Sequence, residues 1–339
     1  MKIIMYINTL PFVLIVLYLS ACSPEKDAYE PGTFESIFTL TGEFILPDYN
    51  ENPVEGIHLT TRLNDSELLF LTSGRNRRLF LFNEKDRVLR QIGRQGQGPG
   101  EYTMPAFILV TDDGRIAFSD AGAGRLTILD PELHYMDQIN IPFISPSPRF
   151  AFGREKIYLH GTFDKNLFAY NKSDEVLEEI FSSDEDYFEM NRRFDGGGVI
   201  VVEDTIYWVN SFEPWIYRYP VGDESFTRIV PEAWKEFTLN HDRSFARTIT
   251  TKQFNRVSDQ LAKLNRFDLV YINGSPHFAV AIQRGNDRIL HILNTKGKLI
   301  SERYYESWYA GASGSEIYFS DVKSNNGDFD IVLKVYSVR

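Results

Sequence analysis

Residues 112–141 read DDGRIAFSDAGAGRLTILDPELHYMDQINI, and this stretch decides the fold. It contains three short strand-like runs, Ile116–Ser119, Leu126–Leu129 and Asp137–Ile141, separated by segments rich in Gly, Asp and Pro. Short runs that contain β-branched and aromatic residues and are bounded by turn formers are typical of β-strands joined by tight hairpins. The stretch therefore predicts three consecutive antiparallel strands.

The same unit recurs along the chain. Its third strand begins at Leu79, Leu126, Leu167, Ile216, Ile289 and Ile331, and an apolar second strand begins before each at Leu68, Ile116, Ile157, Ile206, Phe278 and Ile317. The third strands are spaced by 47, 41, 49, 73 and 42 residues. A period of about 40–50 residues with four short strands defines a propeller blade. Six copies predict an all-β fold, a six-bladed β-propeller spanning residues 34–339.

The long fourth interval predicts an insertion between blades four and five, over residues 241–266. Here Phe254, Val257, Leu261 and Leu264 recur at helical spacing, with no Gly or Pro between them. We expect one amphipathic helix over 251–265 that packs on the propeller.

The last unit lacks its fourth strand, whereas strand-like residues remain near the N-terminus. A propeller ring exposes strand edges unless it is closed. We therefore expect residues 34–46 to complete the last blade.

The N-terminus carries a short hydrophobic run that ends in Leu-Ser-Ala-Cys at residues 19–22, and Cys22 is the only cysteine of the chain. Residues 1–21 are typical of a signal peptide, and small residues before a cysteine indicate lipidation at Cys22. The alternative is an ordinary secretion signal with a chance cysteine. Lipidation predicts a protein of the cell envelope, anchored by lipid in the outer membrane and facing the periplasm or the outside, with residues 22–33 as a flexible tether.

The formal net charge of −11 argues against nucleic acid as a partner.

Residues 93–102 read GRQGQGPGEY. This run resembles the hallmark loop of the six-bladed β-propeller lipoproteins of Bacteroidetes, which relate loosely to NHL-type propellers. The resemblance implies the fold and the envelope location. The glycines favour positive φ and close backbone approach, the proline stiffens the turn, and the last two residues can anchor the loop by hydrogen bonds. A phosphate cradle is the alternative, but no P-loop or βαβ context is present. We predict a structural loop built on Gly93, Gly96, Gly98, Pro99, Gly100, Glu101 and Tyr102.

No catalytic motif stands out. The six histidines show no metal-ligand spacing, and neither an HExxH motif nor a nucleophile elbow is found. We assign no metal ligand and predict no cofactor. Related propellers with lactonase or lyase activity hold a metal in the channel, so the alternative of a divalent cation in the central channel stays open. The Gly196–Gly198 run either lets a group approach the channel closely or is a loose start to blade four.

Propeller topology places the loops between second and third strands on the same face as the connections between blades. Loops on a rigid scaffold commonly carry binding sites. We therefore expect a binding module for a protein or a glycan-derived ligand rather than an enzyme. The alternative is a channel-centred hydrolase or lyase, with or without a metal. The candidate binding residues on this face are Arg75, Arg77, Asp120, Arg125, Asp164, Glu213, Trp215, Arg284 and Asp287.

Overall fold

The repeated apolar runs form the second and third strands of four-stranded antiparallel units. A computed structural model describes residues 32–50, 54–74, 76–141, 149–161, 167–182, 196–223, 225–237, 262–325 and 328–339. Within these residues the strands form six sheets. The predicted six-bladed β-propeller is confirmed.

The N-terminal segment contains β1 (Gly32–Thr33), the short helix α1 (Phe34–Ile37) and β2 (Phe38–Ile45). Blades one to three then comprise β3 (Ile57–Asn64), β4 (Glu67–Thr72), β5 (Leu79–Asn83) and β6 (Val88–Ile92); β7 (Pro105–Val110), β8 (Ile116–Asp120), β9 (Arg125–Leu129) and β10 (Tyr135–Asn140); and β11 (Arg149–Phe152), β12 (Lys156–His160), β13 (Leu167–Asn171) and β14 (Val176–Phe181).

Blade four comprises β15 (Gly198–Val202), β16 (Thr205–Val209), β17 (Ile216–Pro220) and β18 (Thr227–Ile229). A 3₁₀ helix, Glu232–Phe237, follows it. Blades five and six comprise β19 (Ala262–Ile272), β20 (Ser275–Arg284), β21 (Asp287–Asn294) and β22 (Leu299–Tyr304), and then β23 (Trp308–Ser313), β24 (Glu316–Asn325) and β25 (Asp328–Val338).

The first strand of each blade lines the centre of the ring. β3, β7, β11, β15, β19 and β23 contact one another in succession, and β23 contacts β3 to close the circle. Each first strand begins where the chain enters from the preceding blade. We call the face that carries these blade-to-blade connections the connection face. The inner ends of the first strands surround the channel mouth on this face.

The hydrophobic core lies between adjacent blades. The middle strands are buried on both faces because each is covered by a neighbouring blade on either side; all five residues of β8 and of β9 are buried. Between blades six and one, for example, Phe70 and Phe80 pack with Leu333. Outer strands such as β10 are mostly exposed. Burial between blades therefore explains why the second and third strands give the clearest sequence signal.

The N-terminal segment joins blades five and six. β2 pairs antiparallel with β25 and is the fourth strand of blade six. β1 pairs parallel with β22 at the outer edge of blade five, so Gly32 and Thr33 belong to the fold and not to the predicted tether. Phe34 is 1% exposed and stacks on Phe38 with ring centroids 4.7 Å apart. The guanidinium of Arg303 lies 4.6 Å from the centre of the Phe34 ring.

The predicted inserted helix is wrong at its C-terminal end. From Ala262 onward the chain is β19, which pairs with β20 through residue Ile272. A β-bulge between Leu264 and Arg266 shifts the register, so Leu264 and Phe267 face the same core cluster although they are three residues apart. Leu264, the last residue of the predicted helical pattern, therefore belongs to a strand. Residues 241–261 lie outside the described residues, as do residues 1–31, which include the predicted signal peptide and Cys22.

No helix among the described residues is long and apolar enough to span a bilayer.

Candidate functional site at the channel mouth

The glycine-rich loop is held by its own side chains. The Glu101 carboxylate accepts a hydrogen bond from the Gly98 N–H at 2.7 Å and pairs with Arg94 at 2.6 Å. The Gly98 N–H and then the Arg94 guanidinium hold the pKa of Glu101 below its usual range. The buried Tyr102 hydroxyl accepts hydrogen bonds from Leu79 N–H and Gln91 Nε2.

Glycine is required in this loop for two different reasons. Gly93 and Gly100 have φ of 63° and 72°, in the left-handed region that favours glycine. At Gly98 a Cβ would lie 3.0 Å from Glu101 Oε2, and at Gly96 it would overlap the same carboxylate. The loop closes on Glu101 and has the geometry of a structural turn.

Asp120 and Arg125 are buried beneath this loop. Asp120 caps the start of blade two by accepting hydrogen bonds from Thr103 N–H at 2.9 Å and Met104 N–H at 2.8 Å. Arg125 donates to the carbonyl oxygens of Gln97, Gly98 and Glu101 at 3.0, 3.4 and 2.7 Å. Both residues are binding candidates from the sequence, and in the structure their hydrogen bonds hold the loop.

Glu213 is also fully buried, in a polar chain between blades three and four. His160 Nε2 lies 2.7 Å from Asn210 Oδ1, and Asn210 Nδ2 donates to Glu213 Oε1 at 3.0 Å. The Tyr217 hydroxyl donates to the other Glu213 oxygen. Burial, followed by the Glu213 charge, raises the pKa of Tyr217. The network joins two blades and lies away from the surface.

The other candidates from the sequence are dispersed. Trp215 is half-buried, with the Arg228 guanidinium 4.6 Å from its ring centre. Arg284 and Asp287 are exposed and pair in register at the tip of the β20–β21 hairpin. Arg77 is half-buried in the β4–β5 loop. Arg75 and Asp164 lie outside the described residues.

The structure brings a different set of residues to the channel mouth. Arg149, the first residue of β11 in blade three, is 9% exposed. Its Nη2 donates to the backbone oxygen of Asn265 in blade five at 3.3 Å. Between them lies Gly198 of blade four, where a Cβ would be 3.5 Å from Arg149 Cδ. The Arg149 side chain thus passes directly over Gly198, whose own Cβ would be tightest against the Phe267 backbone oxygen at 3.1 Å.

Arg266 repeats this arrangement two blades further round the ring. It is 7% exposed and reaches from blade five to blade one, where Nη1 donates to the backbone oxygen of His58 at 3.2 Å. The intervening residue in blade six is Gly311, whose Cβ would lie 3.2 Å from Arg266 Nη2. Arg266 Nε lies 2.9 Å from Asp268 Oδ2, which also accepts a hydrogen bond from the Tyr309 hydroxyl at 2.8 Å.

The pKa of the His58 imidazole is lowered by its burial and by the positive charges around it. Burial holds its pKa well below its usual range, and the guanidinium groups of Arg77, Arg266 and Arg149 lower it further. The imidazole is therefore neutral near pH 7. We call Arg77, Arg149 and Arg266 the arginine cluster; its members come from blades one, three and five.

Sequence reasoning missed Arg149, Arg266 and His58. The sequence feature that could have identified them is an arginine in the first strand of one blade with a glycine in the first strand of the next blade. Arg149 corresponds in this way to Gly198, and Arg266 to Gly311. Among the described residues, no three His, Cys, Asp or Glu side chains gather into a metal site.

Comparison with known proteins agrees with the fold. Residues 25–298 match the family described as 6-bladed β-propellers, and the chain belongs to this family. A search of curated protein sequences gives no match.

Three solved structures share the architecture. A protein of Bacteroides fragilis NCTC 9343 described as exported is 16% identical, with 91% of this chain and 97% of that chain covered and a TM-score of 0.58. A member of the DUF4221 family from Bacteroides vulgatus is 7% identical, with 89% and 98% covered and a TM-score of 0.57. Virginiamycin B lyase from Staphylococcus aureus is 10% identical, with 89% and 100% covered and a TM-score of 0.52. At these identities the likeness concerns the fold alone.

Proposed function

We propose that this protein is a lipid-anchored, extracytoplasmic propeller that binds a ligand on its connection face and does not transform it. The observation that supports binding there is the arrangement of Arg149 and Arg266. Both are buried and charged, and both cross a glycine of the neighbouring blade at the channel mouth. Burying a charge is costly unless it is paired or hydrogen-bonded. Asp268 pairs with Arg266 Nε, whereas Arg266 Nη2 has no acceptor among the described residues and can take one from a ligand.

The anchor and the location rest on separate observations. The Leu-Ser-Ala-Cys run ending at Cys22 supports lipidation, and the fold is shared with a protein described as exported. A protein held outside the cytoplasm by a lipid has its connection face available to ligands from that compartment.

One experiment tests binding and turnover together. The purified protein is incubated with a panel of peptides and glycan-derived oligosaccharides, and native mass spectrometry follows complexes and free products over time. The proposal predicts complexes in which the ligand keeps its mass. Stable product formation would contradict it.

A matched pair of variants locates the binding face. Arg284 and Ser275 are exposed residues at opposite ends of β20, with Arg284 on the connection face. In a Cys22→Ser background, Arg284→Cys and Ser275→Cys are each labelled with a large polyethylene-glycol maleimide. We expect the label at residue 284 to obstruct binding and the label at residue 275 to leave it intact. The reverse pattern would place the site on the other face.

A second candidate function is a channel-centred lyase or hydrolase. His58 favours it, because a neutral imidazole beside guanidinium groups can accept a proton while the positive charges stabilise a developing anion. Virginiamycin B lyase shares the fold, and a histidine-to-alanine variant of that enzyme is catalytically inactive. Product formation that is lost in His58→Gln would establish this alternative.

A further inference from the structure

The charges at the channel mouth indicate what kind of ligand would fit. The protein as a whole has a net charge of −11. Against this background, the arginine cluster brings guanidinium groups from blades one, three and five to the surroundings of His58. The charged groups that act on His58 are all guanidiniums. A local positive field inside an acidic protein attracts anions to one place.

Arg266 shows where a ligand could be held. Its Nε faces Asp268 and its Nη1 binds the backbone oxygen of His58. Its Nη2 has no hydrogen-bond acceptor among the described residues. Since Gly311 has no side chain, the space beside Nη2 is not filled by a Cβ. A guanidinium with two nitrogens in use and the third open can still donate to an incoming oxyanion.

Depth in the ring restricts the size of the ligand. Arg149 and Arg266 are 9% and 7% exposed, so the surface of a folded partner cannot cover them directly. A small molecule, or a narrow end group of a larger one, can reach them.

We propose that the channel mouth binds a small molecule through a carboxylate or phosphate group that Arg266 Nη2 holds, with Arg77 and the His58 imidazole beside it. Arg149 keeps blades three and five together beside it and adds positive charge. The inference rests on the proposed binding function of the connection face and specifies the chemistry of the ligand.

Anion binding at the channel mouth changes the titration of His58. The groups that face it are Arg77 from the β4–β5 loop, Arg149 from β11 and Arg266 from β19 with its partner Asp268. An anion bound among the guanidiniums offsets their field, so the pKa of His58 must rise when the anion binds. By linkage, binding must tighten as the pH falls toward the pKa of the bound state.

Calorimetric titration tests the proposal with inorganic phosphate and with glucuronate, and glucose serves as the neutral control. Ionic strength is kept constant throughout. Arg77→Ala is the test variant and Arg78→Ala the matched control, since Arg78 is the exposed neighbour in the same loop and does not act on His58. We expect Arg77→Ala to weaken binding of the anion about tenfold or more, the size expected for losing a charge-assisted hydrogen bond. Arg78→Ala should stay within about twofold, since a remote exposed charge acts only through the screened field.

The two probes distinguish the source of the anionic group. Tighter binding of glucuronate than of phosphate indicates a carboxylate ligand such as an acidic sugar, and the reverse order indicates a phosphate ester. Either order supports the proposal.

Nuclear magnetic resonance of the His58 imidazole gives a second readout that does not depend on any variant. Its pKa is measured in the unaltered protein with and without phosphate or glucuronate, and we expect it to rise on binding. Absence of binding of both anions, equal loss in Arg77→Ala and Arg78→Ala, or an unchanged pKa at saturation would overturn the proposal. If neutral ligands still bind on the connection face in that case, the binding function stands and only the anionic chemistry fails.

Discussion

Replacing Phe34 by alanine should destabilise the whole propeller, although the residue lies in a four-residue helix at the edge of the fold. Phe34 is 1% exposed and packs on Phe38, Phe319 and Tyr336 at centroid distances of 4.7, 6.4 and 5.5 Å. Arg303 lies over its ring. Removing a fully buried Phe side chain costs about 3–5 kcal/mol, because burial is lost and a cavity remains.

The loss converts to a measurable shift in melting temperature. For a domain of roughly 300 residues, the entropy of unfolding near 60 °C is about 0.6 kcal/mol per kelvin. The change in stability therefore corresponds to a melting temperature lower by about 5–8 °C. Differential scanning calorimetry of the purified protein measures this directly.

Leu40→Ala is the matched control for Phe34→Ala. Leu40 lies in β2, a few residues further along the same segment, and is 45% exposed. Its truncation should change stability by less than about 0.5 kcal/mol, which is under about 1 °C. If Phe34→Ala melts as Leu40→Ala does, the N-terminal segment does not close the ring as described, and the packing of blades five and six must be independent of it.

Three further predictions concern other parts of the molecule. Gly100→Ala should lower the free energy of unfolding by about 1 kcal/mol or more because φ at Gly100 is 72°, whereas Gly98→Ala should act by displacing the Glu101 carboxylate. Urea unfolding compares the two variants, and an unchanged free energy of unfolding in Gly100→Ala would contradict the loop geometry. Cys22→Ser should abolish membrane association or leave the protein unprocessed, and unchanged fractionation with unchanged mass would refute lipidation. Burial lowers the pKa of His291 to about 4 from 6.5, so the unfolded chain takes up a proton there before the folded protein does, and stability should fall by about 3 kcal/mol as the pH drops from 6.5 toward 4. The denaturation profile of His291→Gln should be flatter over that pH range, and an equally steep one would disprove this assignment.

The sequence was sufficient for the fold because burial between blades leaves a strong signal. Strands such as Leu68–Leu71 are covered on both faces, so they read as continuous apolar runs at a regular interval. The closing role proposed for residues 34–46 came from a count of strands, and in the structure β2 pairs with β25.

The prediction of an inserted helix was wrong from Ala262 onward because it relied on local spacing alone. Of the four residues on which the helix was predicted, only Leu264 is among the described residues, and it lies in β19. Pairing of β19 with β20 over ten residue pairs then determines the conformation.

The site could not be predicted from the sequence because its contacts form only when the six blades close into a ring. Arg149 meets Asn265, and Arg266 meets His58, across a blade that contributes only a glycine. These partners are far apart in sequence and belong to no motif. Charges in loops, such as Asp120 and Arg125, stood out more in the sequence, yet they are used to hold the glycine-rich loop.

The most direct test of the account is a crystal structure of the protein grown with selenate, an oxyanion whose selenium is located by anomalous scattering. Our account predicts the strongest anomalous peak at the channel mouth, within hydrogen-bond distance of Arg266 Nη2 and close to Arg77 and His58. Selenate found only on exposed residues, with none at the channel mouth, would show that the ring does not hold an anionic ligand at its centre.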